Sequence, residues 1–298
     1  MSPDGLLLVD KSEGWTSHDV VAKARRLCAT RRVGHAGTLD PMATGLLVLG
    51  VGKATRLLTF LVGLDKGYAA TIRLGQSRTT DDAQGQVASA TDATALTLDD
   101  IVGAVSGLTG SIEQVPSSVS AIKVDGQRAY ARVRAGEDVT LAARAVRVDR
   151  FDVGHVRGAG PSAATCLDVD VTVEVSSGTY VRALARDLGQ ALGVGGHLVA
   201  LRRERVGSLT VDRAHSVAQI EASTESLVVD MATVAGHLFR TRVLDAAQEQ
   251  ALRHGQRIVA DMPGASDVVA AIGPGGDLVG VLDESEGQAR SRVVFRTD

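Results

Sequence analysis

Cysteine is scarce in this sequence of 298 residues, with Cys28 and Cys166 as the only two. They lie far apart and lack metal-ligand spacing, which argues against a disulfide framework and a cysteine-rich zinc site. Long apolar runs are also missing, since the best membrane candidate, residues 43–64, is interrupted by Lys53 and Arg56. The N-terminus lacks the pattern of a signal peptide. We therefore expect a soluble protein of the reducing cytoplasm with no membrane association.

The remaining composition is that of an ordinary globular protein. Hydrophobic residues make up 44% and charged residues 22% of the chain, which excludes global disorder. Aromatic residues make up only 3%, so each of them is worth locating. The formal net charge of −3 excludes a uniformly basic nucleic-acid coat, but binding responds to local charge and a basic groove stays possible.

Basic residues are concentrated in three segments. They are residues 20–60, with seven Lys or Arg against one acid, 123–150, with seven against four, and 180–206, with five against two. Residues 79–122 contain six acids and no Lys or Arg. The basic segments could converge on one face that contacts phosphates, or they could be ordinary solvated charge. Charge alone leaves both interpretations open.

Hydrophobic periodicity predicts a mixture of strands and helices. T-x-x-D boxes followed by apolar residues at helical spacing mark helix starts, and apolar runs or alternation mark strands. Predicted strands cover residues 6–9, 46–51, 68–74, 146–153 and 166–175, with more within 267–295; predicted helices cover 16–27, 97–108, 180–192 and 246–252. The irregular alternation indicates an α/β (α+β) fold built on a mixed sheet with flanking helices. Glycine and proline predict loops over residues 33–45 and 154–163.

The length suggests one large domain and one small one. We place the larger domain at residues 1–235, with a loop insertion at about 154–163. A smaller, β-rich domain follows at residues 236–298, because its sequence shows short apolar runs separated by turn residues such as Gly-Pro-Gly-Gly.

One acid stands out against this background. Asp40 is the only acid between Val20 and Phe60, in the glycine-rich sequence RVGHAGTLDPMATG. Asp-Pro commonly initiates turns, and this alone would explain it. A carboxylate facing cations, however, stays ionised and is suited to act as a nucleophile or base.

The segment GHAGTLDPMATGLLVLGVGKATR resembles the signature of the TruB-type tRNA pseudouridine synthases. Other segments resemble motifs of the same family: VDKSEGWTS, with Ser12 where the family usually has Pro, DKGYAATIRLGQ, IEQVPSSVSAIKVDGQRAYARVRAG, SSGTYVRALARDLG and LRRERVG. The resemblance covers residues 5 to about 210. The C-terminal segment resembles a PUA module, a small RNA-binding β-barrel.

The resemblance implies roles for individual residues. Asp40 is implied to be the catalytic aspartate, Tyr68 to stack on the target base, and Arg182 to pair with the catalytic carboxylate. His35 is implied to take the space of the extruded nucleotide. Further residues implied to lie at the substrate site are Tyr180, Leu201, Lys11, whose role is open, and Asp82, for which the adjacent Asp81 is an alternative.

The implied activity is isomerisation of the T-loop uridine at tRNA position 55, by base flipping and an aspartate-dependent break and re-formation of the glycosidic link. No metal or cofactor is required, because neither water nor a redox change takes part. Asp40 could act covalently or through a glycal intermediate.

The expected partner is the tRNA T-arm, with no obligate protein partner, and the expected state is a monomer. Two other classes stay open: an RNA-binding or chaperone protein without chemistry, and a carboxylate glycosidase, which would need a second acid.

Overall fold

The computed structural model of the protein describes residues 4–117, 123–124, 127–128 and 141–295. The predicted basic segment 123–150 and the motif that begins at Ile112 therefore lie partly outside the described residues.

Seven α-helices lie within the described ranges. They are α1 Ser17–Leu27, α2 Leu58–Val62, α3 Leu98–Ser106, α4 Val181–Ala191, α5 Val217–Leu227, α6 Met231–Leu238 and α7 Ala246–Arg253. The predicted helix starts are confirmed at α1 and α3, because Thr16 and Thr97 each form a reciprocal capping box with the Asp three residues later.

Apart from three short 3-10 helices, strands make up the rest of the regular structure in the described part of the chain. They are β1 Gly5–Lys11, β2 Val33–Ala36, β3 Thr44–Val51, β4 Lys66–Leu74, β5 Gln76–Arg78, β6 Val87–Ala90, β7 Gly110–Gln114, β8 Lys123–Val124, β9 Gln127–Arg128, β10 Arg144–Gly158, β11 Leu167–Val175, β12 Gly196–Val206, β13 Leu209–Thr210, β14 His215–Ser216, β15 Val229–Asp230, β16 Arg240–Val243, β17 Ile258–Val259, β18 Val268–Ile272, β19 Leu278–Asp283 and β20 Gln288–Val294.

The chain packs as two compact units. The first comprises residues up to 40, 46–62 and the residues from 207 onward. In it, β1 lies between β14 and β3, and β2 pairs antiparallel with β3. The same unit contains a five-stranded sheet in the order β16-β18-β19-β20-β17, which encloses an apolar core that includes Leu252, Val269 and Leu282. The predicted β-rich character of the C-terminal segment is thus confirmed.

The second unit comprises residues 41–45 and 63–206. Its sheet runs β12-β4-β11-β10-β7, with every neighbouring pair antiparallel. The first two residues of β3, Thr44 and Gly45, add to this sheet by pairing parallel with β12. The mixture of parallel and antiparallel pairs and the flanking helices confirm the predicted α/β (α+β) class. The predicted boundary at residues 235 and 236 stays a prediction.

Two of the predicted loops are wrong in part. Residues 33–36 form β2, and residues 154–158 continue β10, which pairs with β11 as far as Gly158 opposite Leu167. The pairing register shifts between Val153 and Val156, and a Cβ on Gly154 would lie 3.1 Å from the Asp170 carbonyl oxygen. Glycine here therefore marks an irregular strand with a close neighbour rather than a loop.

Candidate active site

Asp40 lies in the loop that joins the antiparallel strands β2 and β3. Its side chain is half-buried. The loop is fixed from outside by Ser17, whose Oγ accepts a hydrogen bond from the Leu39 N–H at 2.9 Å and donates to the Leu39 C=O at 3.1 Å. The residue before Asp40 is therefore held at both of its backbone groups.

Lys11 is fully buried at the end of β1. Its Nζ donates to the carbonyl oxygens of Trp15 at 2.7 Å and Ser12 at 3.1 Å. These contacts hold the turn that leads into α1. The observed contacts thus give Lys11 a part in shaping this turn, and its predicted place at the substrate site stays a prediction.

His35 lies on β2, paired with Leu49 of β3. Its ring meets the ring of His18 edge to face, with 5.9 Å between centroids. Asp40 and His35 are thus on the same short stretch of chain, one in the loop and one on the strand that enters it.

Tyr68 and Leu201 belong to neighbouring strands of the second unit. In the pairing of β4 with β12, Tyr68 lies opposite Arg203 and Ala70 lies opposite Leu201. Because directly opposite residues point to the same side of a sheet, Tyr68, Leu201 and Arg203 share one face. All three are largely buried, and Arg203 is only 1% exposed.

The segment that follows Asp40 in the chain reaches this same place in the sheet. Gly45 pairs with Arg203, which in turn pairs with Tyr68. Gly45 has a φ of +95°, and a Cβ there would lie 2.3 Å from the Arg203 carbonyl oxygen. Only glycine allows β3 to start this close to β12.

Arg182, near the start of α4, forms a buried ion pair with Asp82. Its Nη1 lies 3.5 Å from Asp82 Oδ2, and both side chains are at most 6% exposed. The same nitrogen donates to the Thr80 carbonyl oxygen at 3.0 Å and to Ser117 Oγ at 3.4 Å. Asp82 also accepts from Thr80 Oγ1 and from the Gln84 N–H. The guanidinium is therefore fixed in position by the acidic loop.

The neighbouring Asp81 has a different partner. Its carboxylate lies 3.4 Å from Arg186 Nη1, one helical turn along α4 from Arg182. Burial raises the pKa of Asp81, and the Arg186 charge partly offsets this. The structure thus separates the two adjacent acids: Asp82 contacts the predicted site arginine, and Asp81 anchors the same loop to the next turn of the helix. The predicted pairing of Arg182 with Asp40 stays a prediction.

Tyr180 is the N-cap residue that directly precedes α4. Its N–H donates to Gln114 Oε1 at 2.8 Å, and its C=O accepts from Gln114 Nε2 at 3.2 Å. Gln114 ends β7 and is buried. One amide side chain thus satisfies both backbone groups of Tyr180 and sets the direction in which the helix leaves the sheet.

Lys66 adds a second buried cation to the face of β4 that carries Tyr68, two residues further on. Its Nζ donates to the Leu64 carbonyl oxygen at 2.7 Å. Burial lowers the pKa of Lys66 to about 8, and the nearby charge of Arg203 contributes to this lowering. Such a perturbed lysine beside a candidate site residue is typical of functional clefts.

Several cations of the predicted basic segments are neutralised locally. Arg147 pairs with Asp149 at 2.6 Å, Arg150 pairs with Asp152, and Arg205 pairs with Glu174 at 2.7 Å. Exposed pairs of this kind contribute little to stability, but they reduce the charge available to an anionic partner.

A different group of cations lines a cleft of about 660 Å³ in the first unit. Its basic lining residues are Arg32, Lys53, Arg56 and Arg292. Arg56 donates to the Val294 carbonyl oxygen at 2.7 Å and lies over the Phe295 ring, 5.6 Å from its centroid. Among the residues that the structure describes, no ion pair involves Arg32.

Sequence reasoning missed three residues that shape the site: Ser17, Gln114 and Arg203. Ser17 and Gln114 act through single side chains on backbone atoms 22 and 66 residues away, which no local pattern reveals. Arg203 contributes only basic charge to the sequence-based expectations, although its place in LRRERVG is a usable signal.

Metal clusters and membrane-spanning helices are both absent from the described ranges. No group of three or more His, Cys, Asp or Glu side chains there is arranged to hold a metal ion. No described helix is long and apolar enough to cross a membrane.

Family models match almost the whole chain. The model described as TruB family pseudouridylate synthase, N-terminal domain, matches residues 25–181. The model of the tRNA pseudouridylate synthase B C-terminal domain matches residues 182–234, and that of tRNA pseudouridine synthase II, C-terminal, matches residues 239–296.

Individual proteins and structures agree with these models. A protein of Arthrobacter sp. (strain FB24) named tRNA pseudouridine synthase B is 56% identical over 298 residues, covering 98% of this chain and 96% of that protein. A protein of the same name from Mycolicibacterium paratuberculosis (strain ATCC BAA-968 / K-10) is 53% identical and covers 99% of both chains.

Among solved structures, a chain in the crystal structure of a Cbf5-Nop10-Gar1 complex has a TM-score of 0.73 at 23% identity, covering 98% of this chain and 84% of that chain. A chain in an H/ACA RNP bound to a substrate RNA containing 2′-deoxyuridine has a TM-score of 0.72 at 22% identity, covering 98% and 85%. These two likenesses show a shared fold, and the family models and the relatives identify the family. This chain therefore belongs to the TruB family of pseudouridylate synthases and is an isomerase that converts uridine to pseudouridine in tRNA.

Proposed function

We propose that the protein isomerises the T-loop uridine at tRNA position 55, with Asp40 as the catalytic aspartate. The target nucleotide leaves its stack, and Tyr68 stacks on the flipped base, a contact typically worth about 1–3 kcal/mol. His35 takes the space that the nucleotide vacates, and Leu201 and Tyr180 contact the substrate.

The chemistry moves one bond from nitrogen to carbon. The N1–C1′ bond breaks, the base turns, a C5–C1′ bond forms, the hydrogen on C5 leaves as a proton, and N1 takes up a proton. The Asp40 carboxylate begins this sequence either by attacking the nucleotide covalently or by removing a proton from the sugar to give a glycal. No oxidant, reductant or water is consumed, so neither route requires a cofactor.

The observation that carries this proposal is the pairing of Gly45 with Arg203 and of Arg203 with Tyr68. Neighbouring strands lie about 4.8 Å apart, so the chain five residues after Asp40 is about 10 Å from the Tyr68 strand. The chain that leaves the Asp40 loop and the strand that carries Tyr68 thus belong to one sheet, which supports the proposal.

The buried Arg182 supports the electrostatic part of the proposal. A guanidinium pairs with a carboxylate through two parallel hydrogen bonds and keeps it ionised. Asp82, Thr80 and Ser117 already hold Arg182 on one side. We propose that Arg182 forms such a pair with the Asp40 carboxylate during catalysis, so that Asp82 acts through Arg182 on that carboxylate.

The cleft lined by Arg32, Lys53, Arg56 and Arg292 supports contact with an RNA backbone. Cations around one cleft suit phosphodiester groups, whose binding releases counterions. Two of the four are also ion-paired, Lys53 with Asp4 at 3.7 Å and Arg292 with Asp283 at 3.0 Å, so Arg32 and Arg56 carry most of this argument. We assign to it the phosphate contacts that the sequence predicts for residues 20–60.

The setting that fits these proposals is a cytoplasmic monomer. Both cysteines are buried and not joined in a disulfide, which suits a reducing compartment. We propose tRNA as the only required partner.

The test is release of tritium from tRNA transcribed with 5-tritiated uridine, because only isomerisation displaces the hydrogen on C5. Wild-type protein should release one equivalent per tRNA and none from a transcript with cytidine at position 55. Asp40→Asn and Asp40→Ala should release none while binding tRNA as tightly as wild type, and Asp99→Asn, at an exposed residue of α3, is the matched control.

Three results would contradict the proposal. Turnover of Asp40→Asn near the wild-type rate would remove Asp40 from the mechanism. Tritium release from the position-55 cytidine transcript would move the target elsewhere. Free uracil or an abasic product would make the protein a glycosidase.

A further inference from the structure

Ser17 connects two separate sequence motifs at the candidate catalytic residue. It is the first residue of α1 and is only 1% exposed. Its hydroxyl accepts from the Leu39 N–H at 2.9 Å and donates to the Leu39 C=O at 3.1 Å, across 22 residues of sequence. Ser17 belongs to the VDKSEGWTS segment, and Leu39 belongs to GTLDP.

The contact reaches Asp40 through one rigid peptide unit. The Leu39 carbonyl and the Asp40 N–H belong to the same planar group, so fixing the carbonyl fixes the plane from which the Asp40 backbone departs. On the other side, Pro41 restricts the backbone of Asp40 to extended conformations. Asp40 is thus constrained both before and after its α-carbon.

The start of α1, which carries Ser17, is itself fixed. Thr16 caps α1 in a reciprocal box with Asp19, and the buried Lys11 holds the Trp15 carbonyl oxygen at 2.7 Å. Leu39 also buries its side chain. The Ser17 hydroxyl at this fixed helix start has little conformational freedom, so its two hydrogen bonds define one position for the peptide before Asp40.

We propose that Ser17 is a positioning residue for Asp40, holding the peptide that precedes the carboxylate so that the side chain meets the flipped uridine in one geometry. This inference rests on the proposed function of Asp40. A displacement of about 1 Å at a reacting group costs on the order of 100-fold in rate, so one hydroxyl at this place has a measurable effect.

The experiment compares Ser17→Ala, Ser17→Thr and the control Ser216→Ala in the full-length chain. Ser216 also binds backbone in the same unit, through its cap on the Gln219 N–H, but it lies outside the Asp40 loop. Single-turnover and steady-state tritium release give kcat and KM, filter binding gives Kd for tRNA, and circular dichroism shows that each variant is folded at the assay temperature.

We expect Ser17→Ala to lower kcat at least 10-fold with KM and Kd within twofold of wild type. Ser17→Thr keeps the hydroxyl and should recover part of that loss, and Ser216→Ala should keep the wild-type kcat. A Ser17→Ala kcat within twofold of wild type would overturn the inference. The inference would also be overturned if kcat fell in the same proportion as the amount of tRNA that the protein can bind, because this would indicate a loss of folded protein. It would likewise be overturned if folded Ser17→Thr were no faster than Ser17→Ala.

Failure of the inference differs from failure of the proposed function. If Ser17→Ala is fully active and Asp40→Asn is inactive, Asp40 keeps its catalytic role and Ser17 loses its positioning role. If Asp40→Asn is active, the proposed function itself falls.

Discussion

Gln114 holds Tyr180 by both of its backbone polar groups, at 2.8 and 3.2 Å. In Gln114→Ala the Tyr180 N–H loses its amide partner, whereas the Tyr180 C=O keeps the hydrogen bond donated by the Leu184 N–H at 3.1 Å. Losing the partner of one backbone group costs about 1–3 kcal/mol, so we expect a loss of this order in the free energy of unfolding, measured with urea, together with lower activity. Gln86→Ala, at an exposed side chain, should change stability by less than about 0.5 kcal/mol. An equal loss of stability in Gln114→Ala and Gln86→Ala would contradict the role of Gln114 in holding Tyr180.

The two adjacent acids of the 79–86 loop should respond differently to neutralisation. Asp82→Asn leaves the buried Arg182 cation without the charge of its partner, and breaking a buried pair typically costs about 3–5 kcal/mol. Burial raises the pKa of Asp81, which means that the fold disfavours its charge, so Asp81→Asn should cost less. Urea unfolding and tritium release on both variants check this order. A costlier Asp81→Asn would show that the contacts are assigned to the wrong acid.

Gly45→Ala should be far more damaging than its backbone conformation alone explains. The φ of +95° penalises any side chain by about 1–2 kcal/mol, and the new Cβ would also collide with the Arg203 carbonyl oxygen at 2.3 Å. Gly160→Ala is a matched control, because Gly160 has a similar φ of +88° with no atom within 4 Å of the added Cβ. We expect lost activity and several times the destabilisation at Gly45. Similar unfolding midpoints for both variants would argue against the close approach of β3 to β12.

The free energy of unfolding should decrease as the pH is lowered, because of His197. Its Nδ1 lies 2.9 Å from the Gln76 carbonyl oxygen, and burial lowers its pKa below the ordinary 6.5. In the window between the lowered and the ordinary pKa, the unfolded chain binds more protons than the folded one, so stability is lost as pH falls through this window. His197→Gln should flatten the decline in urea stability between about pH 7 and about pH 5. The exposed His155→Gln is the control, and an unchanged slope in His197→Gln would contradict the prediction.

If the basic cleft contacts phosphates, the affinity for tRNA should depend on salt concentration through its cations. If Arg32 contacts a tRNA phosphate, Arg32→Gln should weaken binding and reduce the slope of log K against log salt by about 1. Arg157→Gln should leave the slope unchanged, because Arg157 is paired with Asp170 at 2.5 Å. Filter binding over a range of roughly 50 to 300 mM salt measures both slopes. A slope that is the same for Arg32→Gln and wild type would remove the cleft from the interface.

Local patterns predicted the elements whose stability is local. Each of these patterns involves only a few neighbouring residues: the capping boxes at Thr16 and Thr97 and the alternation of apolar and polar residues in β11. The structure has two helices and a strand at these places. The strand β12 was missed, because LVALRRERV is highly charged and has the character of a surface segment. Its arginines are accommodated by pairing and burial in the centre of a sheet, which overrides local propensity.

For the candidate site, motif resemblance predicted Asp40, Tyr68 and Arg182, and it left Asp81 and Asp82 as alternatives. Which of these acids contacts Arg182 depends on how the loop folds over α4, and Asp81 adopts a φ of +59° there. Local sequence does not determine the backbone conformation of this loop, so only the folded structure distinguishes the two acids.

The amino-acid sequence by itself determined the family, the candidate catalytic acid and most of the strands and helices, because these depend on residue identity and short-range periodicity. The tertiary structure alone decided which side chains hold the candidate-site segments in place. Ser17 and Gln114 bind the backbones of Leu39 and Tyr180, and backbone groups carry no sequence signature. Such contacts arise only when distant segments are brought together by burial of their apolar residues.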